Sequence, residues 1–386
     1  MESRVAASLE RLRPARARVD LGRLDANYAA IARYAGRPVM PVVKADAYGH
    51  GAAVVARRLE ACGAPMLAVA YPEEGAALRE AGVGVPIVVL AGFSAGQLGL
   101  LREQRLTPVV STHGTLGLAM SAARNGWTDL EVHVKVDTGM TRLGLSPAEA
   151  ETAALRLVDA GVSLAGLMTH LANADEDRDA TERQLDRFDA ARAALERRGV
   201  RPTWVHAANS GGLAFLRPTH TLVRPGLIIY GVRPRPLSPE IEVHPVLSVT
   251  AEISLLREVG PGTAVSYGAR FVTSRPSRIA VVPIGYADGV PRTRAMAETG
   301  ALRVGGRSLP VAGTVCMDLT MLDATDAPDV REGDEACLLG DAPGAWELAD
   351  RKGTNAWEIL TSLGSRLPRA YVDGGRVVAV ASRYQP

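Results

Sequence analysis

Short apolar runs alternate with longer amphipathic stretches through the first 240 residues. Strand-like runs stand at 38–43, 66–70, 86–90, 107–110, 130–136, 163–169, 203–206 and 220–224. Several are apolar on both faces, as strands inside a parallel sheet are. The stretches between them carry helical spacing, clearest at 146–160 and 179–198. Ser146-Pro147-Ala148-Glu149 opens the first of these with a capping serine, a first-turn proline and a glutamate at the third position. A strand at 17–21 and a helix at 24–34 come before the alternation. Eight strands alternating with helices predict a (β/α)8 barrel, although a doubly wound open sheet yields a similar pattern.

The pattern changes around 231–245. Arg233-Pro234-Arg235-Pro236-Leu237-Ser238-Pro239 reads as a proline-rich linker, after which helical spacing gives way to strands parted by Gly and Pro turns. Strands are predicted at 246–256, 278–283, 302–304, 311–315 and 336–339, then a helix at 355–363 and a last strand at 375–380. The fold class is therefore α/β + β: an N-terminal (β/α)8 barrel over 17–240 and a C-terminal mainly β domain over 241–386. An arm, partly disordered, is expected over 1–16. Its arginines suggest a transit peptide, but Glu2 and Glu10 interrupt them.

Composition narrows the partners. The 44 basic and 42 acidic residues leave a net charge of +2, so no broad basic field for nucleic acid or an anionic membrane is expected. No apolar run is long enough to cross a bilayer. Cys62, Cys316 and Cys337 lack metal-ligand spacing, which predicts reduced thiols in a cytoplasmic protein without a metal.

The candidate chemistry gathers where barrel strands end. Lys44 closes the run 38–43 in Val42-Val43-Lys44-Ala45-Asp46-Ala47-Tyr48-Gly49-His50-Gly51. Desolvation there lowers a lysine's pKa, as an imine-forming amine requires. Lys135 lies in the fifth run, with Asp137 and Arg142 after it. His170 and Asn173 follow the sixth, His206 and Asn209-Ser210-Gly211-Gly212 the seventh, and Arg224-Pro225-Gly226 the eighth. Backbone amides after strands seven and eight are a common phosphate site of this barrel. A lysine at one end and a phosphate cradle at the other fit pyridoxal 5′-phosphate.

These blocks resemble the alanine racemase family along nearly the whole chain. The Lys44 block is similar to the family's cofactor-lysine signature. Lys135-Val136-Asp137-Thr138-Gly139-Met140-Thr141-Arg142, His170-Leu171-Ala172-Asn173, Asn209-Ser210, Arg224-Pro225-Gly226, Ser266-Tyr267-Gly268, Ile284-Gly285-Tyr286-Ala287-Asp288-Gly289 and Cys316-Met317-Asp318 follow in the family's order. The resemblance implies a cytoplasmic isomerase of D-alanine biosynthesis, which supplies a peptidoglycan precursor. It further implies a homodimer with shared active sites, in which Lys44 and the tyrosine matching Tyr267 come from different chains and act as two proton-transfer bases. Arg224 would meet the pyridine nitrogen, His170 would stand beside the tyrosine matching Tyr267 and link onward to Arg224, and His206 would be a second support for Arg224. Tyr48, Ser210, Gly226, Leu227 and Tyr371 match phosphate-binding positions, and Asn209 stands with them. Arg142, Met317 and Asp318 match the substrate carboxylate and its pocket, Tyr286 the entrance, and Lys135 a lysine that many members carry carbamylated.

Two departures concern specificity. Thr314 and Leu319 stand where many members have Arg and Gln, so a racemase of other or broader amino-acid specificity is an alternative. A decarboxylase of the same fold is another, against which Arg224 argues, since those relatives place a carboxylate at the pyridine nitrogen. A non-catalytic cofactor-binding barrel would lack the β domain with Tyr267 and Met317-Asp318.

Overall fold

The alternating runs close into a ring. The structure, a computed structural model, describes residues 12–383. Most of the arm expected at 1–16 therefore lies outside the described residues. One unit comprises residues 25–47 and 52–243; the other comprises 12–24, 48–51 and 244–383.

In the first unit six strands form one parallel sheet in chain order: Leu67–Val69, Ile87–Val89, Leu106–Val110, Glu131–Lys135, Ser163–Met168 and Trp204–His206. Short bridges complete the barrel. Val42 pairs with Ala68 on one side, and Val39 pairs with Val223 on the other. Thr221 N donates to Val205 O at 2.9 Å and joins the last two strands. The barrel is thus eight-stranded, with its first and eighth strands reduced to bridges.

Strand interiors are almost fully enclosed, Leu67, Val89, Val109, Val132 and Leu167 being 0 % exposed. This is why those runs are apolar on both faces. Register sets the site: Lys135 is level with Met168, and Met168 with His206, so their side chains start from one height at the strand ends. Outside the ring, helix Pro147–Asp159 buries Ala150, Ala153, Ala154 and Leu157, one helical face. Its predicted start is present, with Ser146 Oγ accepting from Glu149 N and Glu149 Oε2 from Ser146 N.

The second unit is built on a seven-stranded sheet, ordered Arg307–Pro310, Ala301–Val304, Glu335–Leu339, Leu247–Glu252, Ala15–Asp20, Arg369–Asp373 and Arg376–Ala381. A three-stranded sheet holds Thr320–Asp323, Ser277–Val282 and Leu255–Val259, and a two-stranded hairpin joins Ala264–Val265 to Phe271–Val272.

Here the structure departs from the expected boundaries. Ala15–Asp20 is not part of the barrel, though the barrel was expected to start at 17. It lies between Leu247–Glu252 (antiparallel) and Arg369–Asp373 (parallel). Its alternate residues Ala15, Ala17 and Val19, all 0 % exposed, form the buried face that a half-covered sheet needs. The run 246–256 divides into two strands, and 311–315 forms a loop in which Gly313 has a φ of +86°.

Candidate active site

Lys44 ends the first barrel strand and opens a left-handed turn. Ala45, Asp46, Ala47 and Tyr48 have φ between 52° and 55°. Non-glycine residues there cost about 1–2 kcal/mol each, so the turn persists only if its surroundings impose it. Its fastenings are visible. Ala47 N donates to Val43 O at 2.9 Å, and Ala52 N to Asp46 Oδ1 at 2.7 Å. Glu74 Oε1 accepts from Ala45 N at 2.7 Å, while Glu74 Oε2 accepts from Ala70 N and Tyr71 N. One carboxylate thereby ties the lysine turn to the end of the next strand.

Around Lys44 the barrel mouth is cationic. Burial lowers the pKa of its amine, Arg142 and Arg224 lower it further, and Glu74 opposes them. Lys135, 5 % exposed, is driven down to about 8 by burial and then by Arg224, Arg142 and Lys44. Arg142 stands on an exposed loop shaped by Asp137, whose Oδ1 accepts from the amides of Gly139, Met140 and Thr141 at 2.9–3.1 Å.

Beneath the mouth runs a buried chain of rings. Arg224, 3 % exposed, places Nη1 2.7 Å from His206 Nδ1 and Nη2 3.1 Å from His170 Nδ1. Nη2 also donates to Thr169 O at 3.0 Å. A guanidinium has only donors, so both histidines accept at Nδ1 and carry their protons at Nε2. His206 Nε2 then donates to His133 Nδ1 at 2.9 Å. Burial, reinforced by the charge of Arg224, pushes His170 and His206 well below the ordinary histidine range and His133 to about 3. All three are neutral at physiological pH. Neither His133 nor Glu74 was anticipated from sequence. His133 alternates with Lys135 on one strand face, and that period-2 placement was the available signal.

Ser210 is buried and draws two amides together, accepting from Gly226 N at 3.1 Å and Ile228 N at 3.3 Å. Leu227, 0 % exposed, lies between those donors. Asn209 braces the same loop, accepting from Gly212 N at 2.8 Å. Convergent amides beside a hydroxyl suit a phosphate, and a depressed amine suits an aldehyde. The donor set fits pyridoxal 5′-phosphate.

In the second unit Tyr371 lies against the backbone of Gly51. A Cβ on Gly51 would stand 1.8 Å from the Tyr371 hydroxyl oxygen, so only glycine permits the approach. Arg369 donates to Gly49 O at 3.2 Å and steadies the turn that carries Tyr48.

The expected pocket residues Tyr286, Met317 and Asp318 also come together. Tyr286 N donates to Cys316 O at 3.0 Å, and Ala287 N to Met317 O at 3.2 Å. Arg366 binds Asp318 Oδ1 at 2.7 Å and Met317 O at 3.1 Å, and its Nε meets Asp288 Oδ1 at 2.8 Å. Arg13 pairs with the same Asp288, so the expected arm is anchored by its thirteenth residue. Tyr267 sits on the hairpin turn and is 72 % exposed; Met317 is 51 % and Tyr286 40 % exposed.

Asp288, fully buried between two arginines, makes a stability prediction. Burial raises its pKa, but the hydrogen bonds from Arg13, Arg366 and Gly285 N outweigh this and hold it below the usual carboxylate range. Breaking a buried pair costs about 3–5 kcal/mol. Asp288→Asn should lower the melting temperature at neutral pH. A folded pKa below the unfolded value gives stability that is complete above the ordinary carboxylate range and fades as pH falls through the lowered value. The gap between the two melting temperatures should therefore close on acidification. A gap constant down to strongly acidic pH would refute the ion-pair account.

Known proteins match the chain across both units. The family profile described as "Alanine racemase, N-terminal domain" matches residues 19–234, and "Alanine racemase, C-terminal domain" matches 246–371. An alanine racemase of Halothermothrix orenii is 41 % identical over 370 residues, covering 93 % of this chain and 97 % of its own. One from Sorangium cellulosum is 41 % identical over 381 residues, covering 93 % and 99 %. The solved alanine racemase of Clostridium difficile superposes with a TM-score of 0.89 at 30 % identity, over 96 % of this chain and 98 % of that one. On these grounds the chain belongs to the alanine racemase family.

Proposed function

We propose that the protein interconverts L- and D-alanine by passing the Cα proton between Lys44 and the partner subunit's Tyr267, with pyridoxal 5′-phosphate held at the barrel mouth. The observation that carries this assignment is Lys44, an amine of lowered pKa set by a strained turn among Lys135, Arg142 and Arg224. When bound, the cofactor supplies an electron-accepting ring that acidifies the substrate Cα–H.

The chain's own residues do the rest. Lys44 Nζ holds or releases a proton on one face, and Tyr267 Oη does so on the other. Arg224 presents a permanent charge and never yields its proton, and His206 and His170 fix its plane from two sides. Tyr48, Asn209, Ser210, Gly226, Leu227 and Tyr371 hold the phosphate. Arg142 receives the substrate carboxylate, Met317 and Asp318 line its pocket, and Tyr286 guards the way in. A homodimer is part of this assignment, because the second unit exposes Tyr267 (72 %) and Met317 (51 %), with Tyr286 and Leu319 also partly exposed. So is a cytoplasmic setting. No helix among the described residues is long and apolar enough to cross a membrane, and the three cysteines are free thiols.

Lys135 is placed to be carbamylated. A pKa near 8 multiplies the reactive neutral amine by about two orders of magnitude over an ordinary lysine at neutral pH. The resulting anion would pair with Arg142 and relieve a cluster of like charges. Native intact mass in bicarbonate should show one added carbon dioxide per chain, absent from Lys135→Arg. An unmodified mass would remove the carbamate.

The test of function is a chiral assay of the purified protein, with pyridoxal 5′-phosphate, against a panel of L-amino acids. D-alanine should form fastest. Preferred turnover of serine or a larger side chain would replace alanine as the substrate, and carbon dioxide release would favour decarboxylation.

A further inference from the structure

Within its own chain the phenol of Tyr267 has little side-chain packing to aim it, being 72 % exposed, so that chain directs it through the backbone of its turn. That backbone is strained. Ser266, immediately before it, has φ 66° and ψ −177°, a region populated almost only by glycine, and Ala269 has φ 47°. The hairpin beneath is short and rests on a small apolar cluster of Val265, Ile279 and Ala312 with Phe271 against it.

What holds the strained turn is a reciprocal pair with the loop after Ala312. Ser266 Oγ donates to Thr314 O at 2.5 Å, and Thr314 Oγ1 donates to Tyr267 O at 3.0 Å. Ser266 Oγ also lies 3.4 Å from Cys316 Sγ. The two segments can approach because residue 313 is glycine, where a Cβ would stand 2.6 Å from Val265 O. Each hydroxyl thus grips the other segment's carbonyl. Thr314 binds the peptide of the proposed base from a distant segment, and it does so through a side chain that the arginine common at this position cannot replace with the same short hydroxyl bond.

We propose that Thr314 is a positioning residue for Tyr267, and that its hydroxyl keeps the phenol aligned for proton transfer on one face of the substrate. This rests on Tyr267 being one of the two bases. A misaligned base slows its own transfer and leaves the opposite one untouched.

The test compares Thr314→Val with Thr314→Ser in the holoenzyme. Thr314→Val keeps the shape and loses the hydroxyl, so kcat should fall about tenfold, as for loss of one aligned hydrogen bond, with little change in KM and an unchanged cofactor absorbance. The α-deuterium isotope effect should rise for one antipode of alanine and fall for the other. Thr314→Ser, which retains the hydroxyl, should restore both rate and isotope pattern. Wild-type isotope effects in Thr314→Val, or changes of equal sign for both antipodes, would overturn the proposal. Failure of the base assignment itself looks different: Tyr267→Phe would then racemise normally.

Discussion

Lys44→Ala will abolish both racemisation and the cofactor's absorbance near the visible edge. The two losses have one cause, because the amine is expected to be both the point of covalent attachment and a proton carrier. Loss of a general base alone costs about 10²–10⁴-fold, and removing the attachment point as well should take the rate to or beyond the upper end. A readout free of turnover is available. The chain contains three lysines, so borohydride reduction with pyridoxal 5′-phosphate followed by peptide mapping distinguishes them cleanly. The label should fall on Lys44. The rate of attachment should climb with pH only until Nζ is deprotonated, and burial together with Arg142 lowers that point below the ordinary lysine range. Label on Lys135 instead, or undiminished absorbance in Lys44→Ala, would sink the assignment.

The reasons Lys44 was legible in sequence, and its supports were not, are physical. A lysine ending an apolar run is conspicuous in a chain where arginine supplies nearly all the positive charge. The Ser146-Glu149 start was equally plain, because a capping box is local. The left-handed turn after Lys44 was not, since Ala45 and Ala47 favour the right-handed helix and the first glycine, Gly49, comes only at its end. Glu74 reaches Ala45 from 29 residues away, and such spacing leaves no local signature. Asp288 sits in Gly285-Tyr286-Ala287-Asp288-Gly289, which reads as a polar turn until the folded chain brings Arg13 and Arg366 onto it. A strand was expected at 17–21 and stands at Ala15–Asp20, but a strand does not encode its partner, and proximity in sequence pointed to the wrong sheet.

Strained backbone recurs at two of the expected site turns. The Lys44 turn and the Tyr267 turn both contain non-glycine residues at positive φ, and both are fastened by side chains far away in sequence. Each proposed base is therefore carried on backbone that would relax elsewhere if its fastening were cut. Rotamer choice alone could not fix a long lysine or an exposed tyrosine so narrowly.

Tyr267→Phe should leave attachment and absorbance intact while slowing racemisation in both directions by about 10²–10⁴-fold, the range for losing one positioned base. Both directions suffer because every inversion uses both bases, once to remove the proton and once to return it. Exchange separates them: in deuterated water one antipode should still wash out its Cα proton through Lys44, without inverting. Unchanged racemisation would rule Tyr267 out as a base. Mixing this variant with Lys44→Ala then tests whether the site is shared. In a symmetric dimer with shared sites, a hybrid holds one doubly defective site and one intact site, so random exchange of subunits should restore about a quarter of the wild-type rate. If each subunit used its own Lys44 with its own Tyr267, no pairing would create an intact site, and the mixture would stay as slow as its components.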